Sequence, residues 1–438
     1  MSVSFTSQWG TRRLKWSTSK IGSGKTPSGG AEGYADSGIT FLRSQNIHFS
    51  GLKLEDVAYI DRATHRDMWS TRVLFGDVLL NITGASLGRA TCTSSDLGEA
   101  NVNQHVCIIR PTPGTNSRYM AYALGSQPVQ EQIRELQVGG NRDGLNFEQV
   151  GNLELPAAPQ NEQHRIANFL DTETTRIDRI YDLRARQQTL LEEAAIRRVY
   201  DAVRGTHLSA ERKESGLDWL GTVPANWRIG AVSYYFEVEL GKMLNQERAQ
   251  GEHLRPYLRV ANVQWDRIDV TNLAMMDFPP AEQARYRLKD GDLLVNEGGS
   301  WPGRAAVWSG EISEIYYQKA LHRIREQGAE ITRWLYYCLV AAERLRVFQV
   351  QGNTSTMTHL TREQLRSQRF PFPEVPTQAR LVAELDRAAS RDAEVQLLLS
   401  RQLTLLAERR QALITAAVTG QFDVSTASGR SVTEGVTA

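Results

Sequence analysis

The residues most suggestive of chemistry lie in Ile21–Gly30, which reads IGSGKTPSGG. Its Gly-Lys-Thr matches the end of a nucleotide-binding loop, where backbone amides and a lysine hold the phosphates of ATP. That loop needs a glycine five positions before Gly24, where this sequence has Ser19, and Gly29-Gly30 would interrupt the helix that should follow. The stretch therefore favours a glycine-rich turn whose Lys25 contacts a phosphate, and a nucleotide-binding enzyme is the weaker alternative.

No other spacing predicts catalysis. The order of residues in Asp277–Pro280 (DFPP) is wrong for the motif of amino-methyltransferases, and no glycine-rich cofactor loop accompanies it. The eight histidines form no HExxH pattern and the serines form no GxSxG elbow. The three cysteines form no CxxC pair, which argues against a zinc site and fits a reducing cytoplasm. We therefore expect no catalytic residue, metal site or cofactor in this chain.

Two similar stretches carry polar side chains that suit DNA. Phe41–Ile47 reads FLRSQNI and Tyr257–Val263 reads YLRVANV, so an arginine and an asparagine recur with one spacing. Arginine can bind guanine O6 and N7, asparagine can bind adenine N6 and N7, and basic side chains also bind phosphate. A structural role near a strand end is an equally good interpretation. With the glycine-rich turns included, the candidate DNA contacts are Lys25, Arg43, Asn46, Arg89, Arg142, Lys242, Arg259, Asn262 and Arg304.

The elements that would position these residues are encoded twice. Gly76–Gly84 (GDVLLNITG) corresponds to Gly291–Gly299 (GDLLVNEGG) at an offset of 215 residues. Tyr119–Leu124 (YMAYAL) corresponds to Trp334–Leu339 (WLYYCL) at the same offset. A constant offset between separated blocks predicts the tandem duplication of a unit of roughly 200 residues. Short apolar runs among Gly, Asn, Asp and Pro predict strands and turns in the first part of each unit.

The second part of each unit has the pattern of a long helix. Asn161–Val203 and Gln378–Val418 contain neither proline nor glycine, and their apolar residues recur at intervals of three, four and seven. This spacing is typical of a coiled coil. At ~1.5 Å per residue each helix would be about 60 Å long, which favours pairing between the two helices over packing on one domain.

Composition excludes some classes of protein. The net charge is +1, from 51 basic and 50 acidic residues, so a uniformly basic nucleic-acid-binding protein is excluded, although a locally basic face is not. No apolar run approaches ~20 residues, and the N-terminus has no apolar segment of a signal peptide. We therefore expect a cytoplasmic protein without a membrane span.

Two motifs resemble a known family. Glu214–Val232 (ESGLDWLGTVPANWRIGAV) is similar to the stretch that opens the second target-recognition domain in specificity subunits of type I restriction–modification systems. Pro159–Asp171 (PQNEQHRIANFLD) resembles the start of the family's spacer helix. The second copy, PTQARLVAELD from Pro376, lacks the glutamate before Gln378. The resemblance covers nearly the whole chain.

The resemblance implies an α+β fold in which two repeat-related α/β target-recognition domains are separated by two long antiparallel coiled-coil helices, with pseudo-twofold symmetry. The implied boundaries are 1–158 and 206–374 for the recognition domains, 159–205 and 375–422 for the spacer helices, and 423–438 for a flexible tail.

The resemblance also implies a function. The chain would be a non-catalytic DNA specificity subunit that recognises a split, asymmetric DNA site. Its partners would be double-stranded DNA, two methyltransferase subunits and restriction (translocase) subunits. S-adenosylmethionine, ATP and Mg would belong to those partners. A helical oligomerisation adaptor without a role on DNA is the alternative from another class.

Overall fold

The structure is a computed structural model that describes residues 7–27, 30–137, 144–243, 250–298, 302–350 and 359–424. It divides into two compact units, a first unit of Met1–Arg186 with Leu399–Ala438 and a second unit of Gln187–Leu398. Each unit therefore contains one of the predicted recognition domains together with parts of both long helices.

The secondary structure of the described residues is as follows. The helices are α1 (Arg62–Asp67), α2 (Ser117–Gly125), α3 (Gln127–Glu135), α4 (Phe147–Asn152), α5 (Gln160–Arg204), α6 (Val232–Tyr235), α7 (Pro280–Tyr286), α8 (Thr332–Arg344), α9 (Val347–Val350), α10 (Arg362–Ser367) and α11 (Val375–Thr419). The strands of the first unit are β1 (Thr11–Arg13), β2 (Thr18–Ser23), β3 (Ile39–Leu42), β4 (Ile47–His48), β5 (Gly51–Leu52), β6 (Ala58–Ile60), β7 (Arg72–Val73), β8 (Val78–Asn81), β9 (Ala90–Cys92), β10 (Ala100–Val102), β11 (Val106–Pro111) and β12 (Glu154–Pro156). The strands of the second unit are β13 (Arg212–Glu214), β14 (Thr222–Pro224), β15 (Arg228–Ala231), β16 (Phe236–Leu240), β17 (Leu254–Leu258), β18 (Val263–Gln264), β19 (Arg267–Ile268), β20 (Ala274–Asp277), β21 (Leu293–Asn296), β22 (Ala305–Val307), β23 (Tyr316–Tyr317), β24 (Leu321–Glu326) and β25 (Arg369–Phe372).

The first unit is built on two four-stranded sheets. The main sheet has the order β2-β11-β8-β9, and the smaller sheet has the order β6-β3-β10-β7, with β3 and β10 parallel. The continuous apolar run of β8 arises because both faces of its strand are covered. Val78 and Leu80 pack in the core shared with α2 and the long helices, whereas Leu79 packs in the core of the smaller sheet.

The second unit repeats this topology. Its main sheet has the order β16-β24-β21-β22, and its smaller sheet has the order β20-β17-β23, with β17 and β23 parallel. Leu293 and Val295 of β21 face the core shared with α8, and Leu294 faces the other core. The predicted duplication is confirmed, because the GDVLLN and GDLLVN runs form corresponding central strands.

The long helices pair in opposite directions within each unit. In the first unit Asp178 of α5 binds Arg410 of α11 at 2.8 Å, and Phe169 packs against Phe422 beyond the end of α11. In the second unit Arg198 binds Asp392 at 2.6 Å and Glu192 lies beside Gln396. In both units higher numbers in α5 face lower numbers in α11, so the predicted antiparallel pairing is confirmed.

The glutamine of each helix-start motif ties its helix to the neighbouring domain. Gln163 accepts a hydrogen bond from the backbone N–H of Asn116 and donates one to the carbonyl of Ala158, at 2.9 and 2.8 Å. Gln378 makes the corresponding contacts with Ile331 and Pro373. The glutamate that the second motif lacks is Glu162 in the first motif, where its carboxylate forms an ion pair with the exposed Arg165 three residues later.

Candidate nucleic-acid interface

In the first unit, three loops meet at one end of the main sheet. The turn of residues 103–105 joins β10 to β11 and lies between the loop after β2 and the loop after β8. Lys25 donates its backbone N–H to the carbonyl of Val102 at 3.2 Å, and Ile82 donates to the carbonyl of His105 at 3.0 Å. Thr83 Oγ1 and His105 Nδ1 are 2.6 Å apart. Gln104, at the tip of this turn, is exposed.

The second unit assembles the same three loops. The turn of residues 318–320 joins β23 to β24, and Lys319 donates its backbone N–H to the carbonyl of Lys242 at 2.7 Å. Glu297, in the loop after β21, donates to the carbonyl of Ala320 at 3.0 Å. Lys319 at the tip is exposed. Each unit therefore presents one exposed polar side chain from a turn that two neighbouring loops hold.

The glycine of the Gly-Lys pair is explained by close packing in both units. A Cβ added to Gly24 would lie 1.8 Å from the carbonyl oxygen of Val102, and one added to Gly241 would lie 2.2 Å from that of Gln318. Only glycine allows this approach, since any side chain would overlap the backbone of the turn. The glycine that suggested a nucleotide-binding loop thus serves to bring the loop after β2 or β16 against the tip.

The two predicted lysine contacts differ in environment. Lys25 is exposed beside the tip of its turn. Lys242 is only 4% exposed, its Nζ donates to the carbonyl of Asp277 at 2.6 Å, and it forms an ion pair with Glu282 at 2.5 Å. These contacts occupy the Lys242 ammonium inside its own domain. Contact between Lys242 and a DNA phosphate stays a prediction that would require this pair to separate.

The two Arg–Asn pairs lie in matching turns. The amide of Asn46 accepts from the backbone N–H of Arg43 and donates to the carbonyls of Lys53 and Asp56, and the side chain is 2% exposed. Asn262 repeats these contacts at 4% exposure. Both donors of each amide are therefore used within the turn, and a contact with adenine stays a prediction that would require the turn to open.

The arginines of these turns retain more solvent contact. The guanidinium of Arg43 binds the carbonyl of Asp56 at 3.0 Å and is about a quarter exposed, and that of Arg259 binds the carbonyl of Asn272 at 3.2 Å. Arg89 is half-buried in the loop before β9. Its counterpart Arg304 binds Gln264, and burial lowers the pKa of its guanidinium.

Arg142 lies outside the residues that the structure describes. The structure thus places Lys25 next to the tip of the first unit and leaves Arg43, Arg89 and Arg259 with partial access to solvent. It encloses Asn46, Asn262 and Lys242.

A buried ion pair supports the main sheet of each unit. Asp77 is 1% exposed and binds Arg110 through two hydrogen bonds of 2.7 and 2.8 Å. Asp292 and Arg325 form the same pair in the second unit, with both hydrogen bonds at 2.7 Å. In each pair the hydrogen bond to the aspartate raises the pKa of the arginine above its ordinary value.

A second repeated group fastens each domain to the helix that follows it. In the first unit Arg118 and Tyr122 of α2 both bind Asp171 of α5. In the second unit Arg333 and Tyr337 of α8 both bind Asp386 of α11. Arg333 also binds Asp266, and burial together with the Asp386 carboxylate raises the pKa of Tyr337.

Sequence reasoning missed both the tips and these fastening groups. Arg118 and Tyr122 match Arg333 and Tyr337 at the offset of 215, so the repeat itself carried the signal for the fastening groups. The tip residues could have been found only as a difference between the copies, because Gln104 aligns with Lys319.

Among the described residues, no group of three or more His, Cys, Asp or Glu side chains is arranged to bind a metal ion. Within the same part of the chain, no helix has the length and apolar character needed to cross a membrane.

Comparison with known proteins supports the resemblance found in the sequence. No protein-family model matches the chain. The chain is similar to the type I restriction enzyme EcoKI specificity subunit of Escherichia coli (strain K12), with 19% identity over 398 residues that cover 88% of this chain and 83% of that protein.

Two solved structures show the same fold. One was described in work on complex assembly and conformational transition of the type I R-M system; it has a TM-score of 0.68 at 17% identity, with 95% of this chain and 99% of that chain covered. The other is the HsdS subunit from Thermoanaerobacter tengcongensis, with a TM-score of 0.51 at 16% identity, covering 96% of this chain and 100% of that chain. The predicted resemblance and the predicted fold class are confirmed.

Proposed function

We propose that this chain is the DNA specificity subunit of a type I restriction–modification complex. It recognises a split, asymmetric site, with each recognition domain binding one half, and it directs methyltransferase subunits to that site. The observation that carries the proposal is the pair of domains with one topology and different loop tips. Two related modules that differ at a matched exposed position suit two half-sites of different sequence. The similarity to the EcoKI specificity subunit over 88% of the chain supports the same function.

The chemistry of the complex resides in the partners. The chain holds two methyltransferase subunits, which use S-adenosylmethionine, and restriction (translocase) subunits, which use ATP and Mg. The chain itself is non-catalytic and holds no cofactor. Its net charge of +1 fits a subunit that shares the neutralisation of phosphates with its partners. The complex acts on DNA in the cytoplasm.

Methylation mapping tests this function. The chain is co-expressed with its methyltransferase subunit, and N6-methyladenine is mapped across the DNA of the host cell. We expect modified adenines in one sequence made of two different halves and a fixed gap, and no such sequence when the chain is omitted. Methylation that is independent of the chain, or a chain that assembles with its partner without any methylation, would refute the proposal and favour an oligomerisation adaptor.

The paired long helices act as a ruler, because their length sets the gap between the two half-sites. Glu192 lies beside Gln396, so in the antiparallel pair Leu190 is level with Leu398. Seven residues inserted after each of these two leucines keep the seven-residue repeat of the seam and add about 10 Å. DNA rises ~3.4 Å per base pair, so the gap should lengthen by roughly three base pairs. The same seven residues inserted after Val424, beyond the end of α11, are the control, and an unchanged gap in the helix variant would exclude the ruler.

A further inference from the structure

The tips of the two units lie at equivalent positions with different chemistry. Gln104 and Lys319 are 215 residues apart, and each is the exposed central residue of the turn that joins the smaller sheet to the main sheet. The supporting pairs are the same in both copies, since Asp77–Arg110 and Asp292–Arg325 repeat with closely similar distances. A scaffold that is kept while its tip changes suggests that the tip carries the difference between the units.

Each tip is held in place on both sides. In the first unit Lys25 donates its backbone N–H to Val102, immediately before the turn, and Ile82 donates to His105 within it. In the second unit Lys319 donates to the carbonyl of Lys242, and Ala320 accepts from Glu297. Gly24 and Gly241 pack directly against the backbone of these turns. Recognition of a base requires a side chain positioned to within about 0.5 Å, which a turn fixed by its neighbours provides.

The side chain of Gln104 is itself oriented. Its Oε1 accepts a hydrogen bond from the hydroxyl of Thr26, which leaves one lone pair of Oε1 available. Its Nε2 is 3.5 Å from the imidazole of His105, at the limit of a hydrogen bond. A glutamine amide that retains an acceptor site and an N–H donor has the pattern that pairs with adenine N6 and N7.

The second tip stores backbone strain. Ala320, next to Lys319, has a φ of +85°, which is unusual for a residue with a side chain. The corresponding His105 has no positive φ. Glu297 donates its backbone N–H to the Ala320 carbonyl at 3.0 Å. Such strained residues cluster at functional sites.

We propose that Gln104 and Lys319 are the matched base-reading residues of the two domains. Gln104 binds an adenine in one half-site through N6 and N7, and Lys319 binds a guanine in the other through O6 and N7. The proposal rests on the proposed function, and it names the chemistry by which the two half-sites differ.

Exchanging the two tips tests the proposal. Gln104→Lys, Lys319→Gln and the double exchange are each co-expressed with the methyltransferase subunit, and N6-methyladenine is mapped as for the unaltered chain. Each single exchange should change one base pair of one half-site and leave the other half-site intact. Methylation of the original site should fall by about 5- to 150-fold, the equivalent of the 1–3 kcal/mol that a good bidentate base contact contributes. The double exchange should change one position in each half.

The matched control is Lys213→Gln, which removes the same charge from an exposed lysine of β13 in the second unit. It should leave both half-sites and the methylation rate unchanged. If the unaltered chain methylates no split site, the proposed function fails. If it does, but both exchanged variants keep both half-sites, the base-reading role is wrong. An equal loss at all sequences, with a weaker dependence of binding on salt, identifies a phosphate contact and likewise overturns the proposal.

Discussion

The buried pair of Asp77 and Arg110 leads to a prediction that each unit can test independently. Asp77 is 1% exposed and receives three hydrogen bonds, two from Arg110 and one from the backbone N–H of Leu74 at 2.7 Å. In Asp77→Asn the charge is lost and an amide NH2 or a single oxygen faces the guanidinium. The arginine then keeps its charge without its partner.

The expected cost follows from the burial of the pair. Breaking a buried ion pair by removing one partner costs about 3–5 kcal/mol, because the other charge is left uncompensated. Arg110 is 29% exposed, so water can solvate part of its guanidinium and the lower end of this range applies. We therefore expect a loss of about 3 kcal/mol, which is a change of about 150-fold in the opening equilibrium.

Hydrogen exchange of the intact chain, followed by mass spectrometry, measures this loss in each unit separately. Protection of β8 and β11 should fall about 150-fold in Asp77→Asn, whereas β21 and β24 keep their protection. Asp292→Asn should give the opposite result. Asp56→Asn is the control, because that carboxylate is 87% exposed, lies 3.7 Å from Arg43 and should contribute at most about 1 kcal/mol. A change below threefold in Asp77→Asn, or an equal loss in both units, would show that the pair does not stabilise its unit as argued.

Two further predictions concern buried polar side chains. His322 is fully buried and its Nε2 is 2.8 Å from the carbonyl oxygen of Leu360, and burial lowers its pKa. Because the pKa of His322 is lower in the folded than in the unfolded state, neutral His322 contributes its full stability to the fold above about pH 6.5. This contribution is lost as the pH falls below that value. The free energy of unfolding of the second unit, measured with urea, should be lower at pH 5.5 than at pH 7.5, and His322→Gln should reduce this difference. An equal pH dependence in the variant would show that His322 is not its source. Asn46→Ala leaves buried backbone groups of its turn without partners and should cost about 1–3 kcal/mol in urea unfolding of the first unit, to which Asn46 belongs. It should keep the methylated sequence of the unaltered chain, and a changed base would show that Asn46 reads DNA after all.

The duplicated fold could be predicted because the repeat is written into residues that the core requires. GDVLLN and GDLLVN encode a turn with a buried aspartate and a strand covered on both faces, and these demands are the same in both copies. The long helices could be predicted for a similar reason, since an uninterrupted seam without proline or glycine has few alternatives to a helix.

The environment of the candidate contacts could not be predicted in the same way. An arginine and an asparagine that recur with one spacing fit a DNA contact and a hydrogen-bonded turn equally well, and only the carbonyls of Lys53 and Asp56 around Asn46 distinguish them. Lys242 is enclosed by Asp277 and Glu282, which follow it by more than thirty residues. Such enclosure depends on tertiary packing, which local sequence does not specify.

Comparing the two copies distinguishes residues that maintain the fold from candidate base-contacting residues better than either copy does alone. Where both copies keep the same side chain with the same partners, as at Asn46 and Asn262, the physical explanation is shared structure. Two halves of an asymmetric site cannot be distinguished by residues that are identical in both domains. Matched positions that are exposed, held by neighbouring loops and different in chemistry can supply such a distinction, and Gln104 and Lys319 meet all three conditions. By this reasoning, transfer of the tip turn should transfer a base preference, whereas transfer of the Arg–Asn turn should change stability alone.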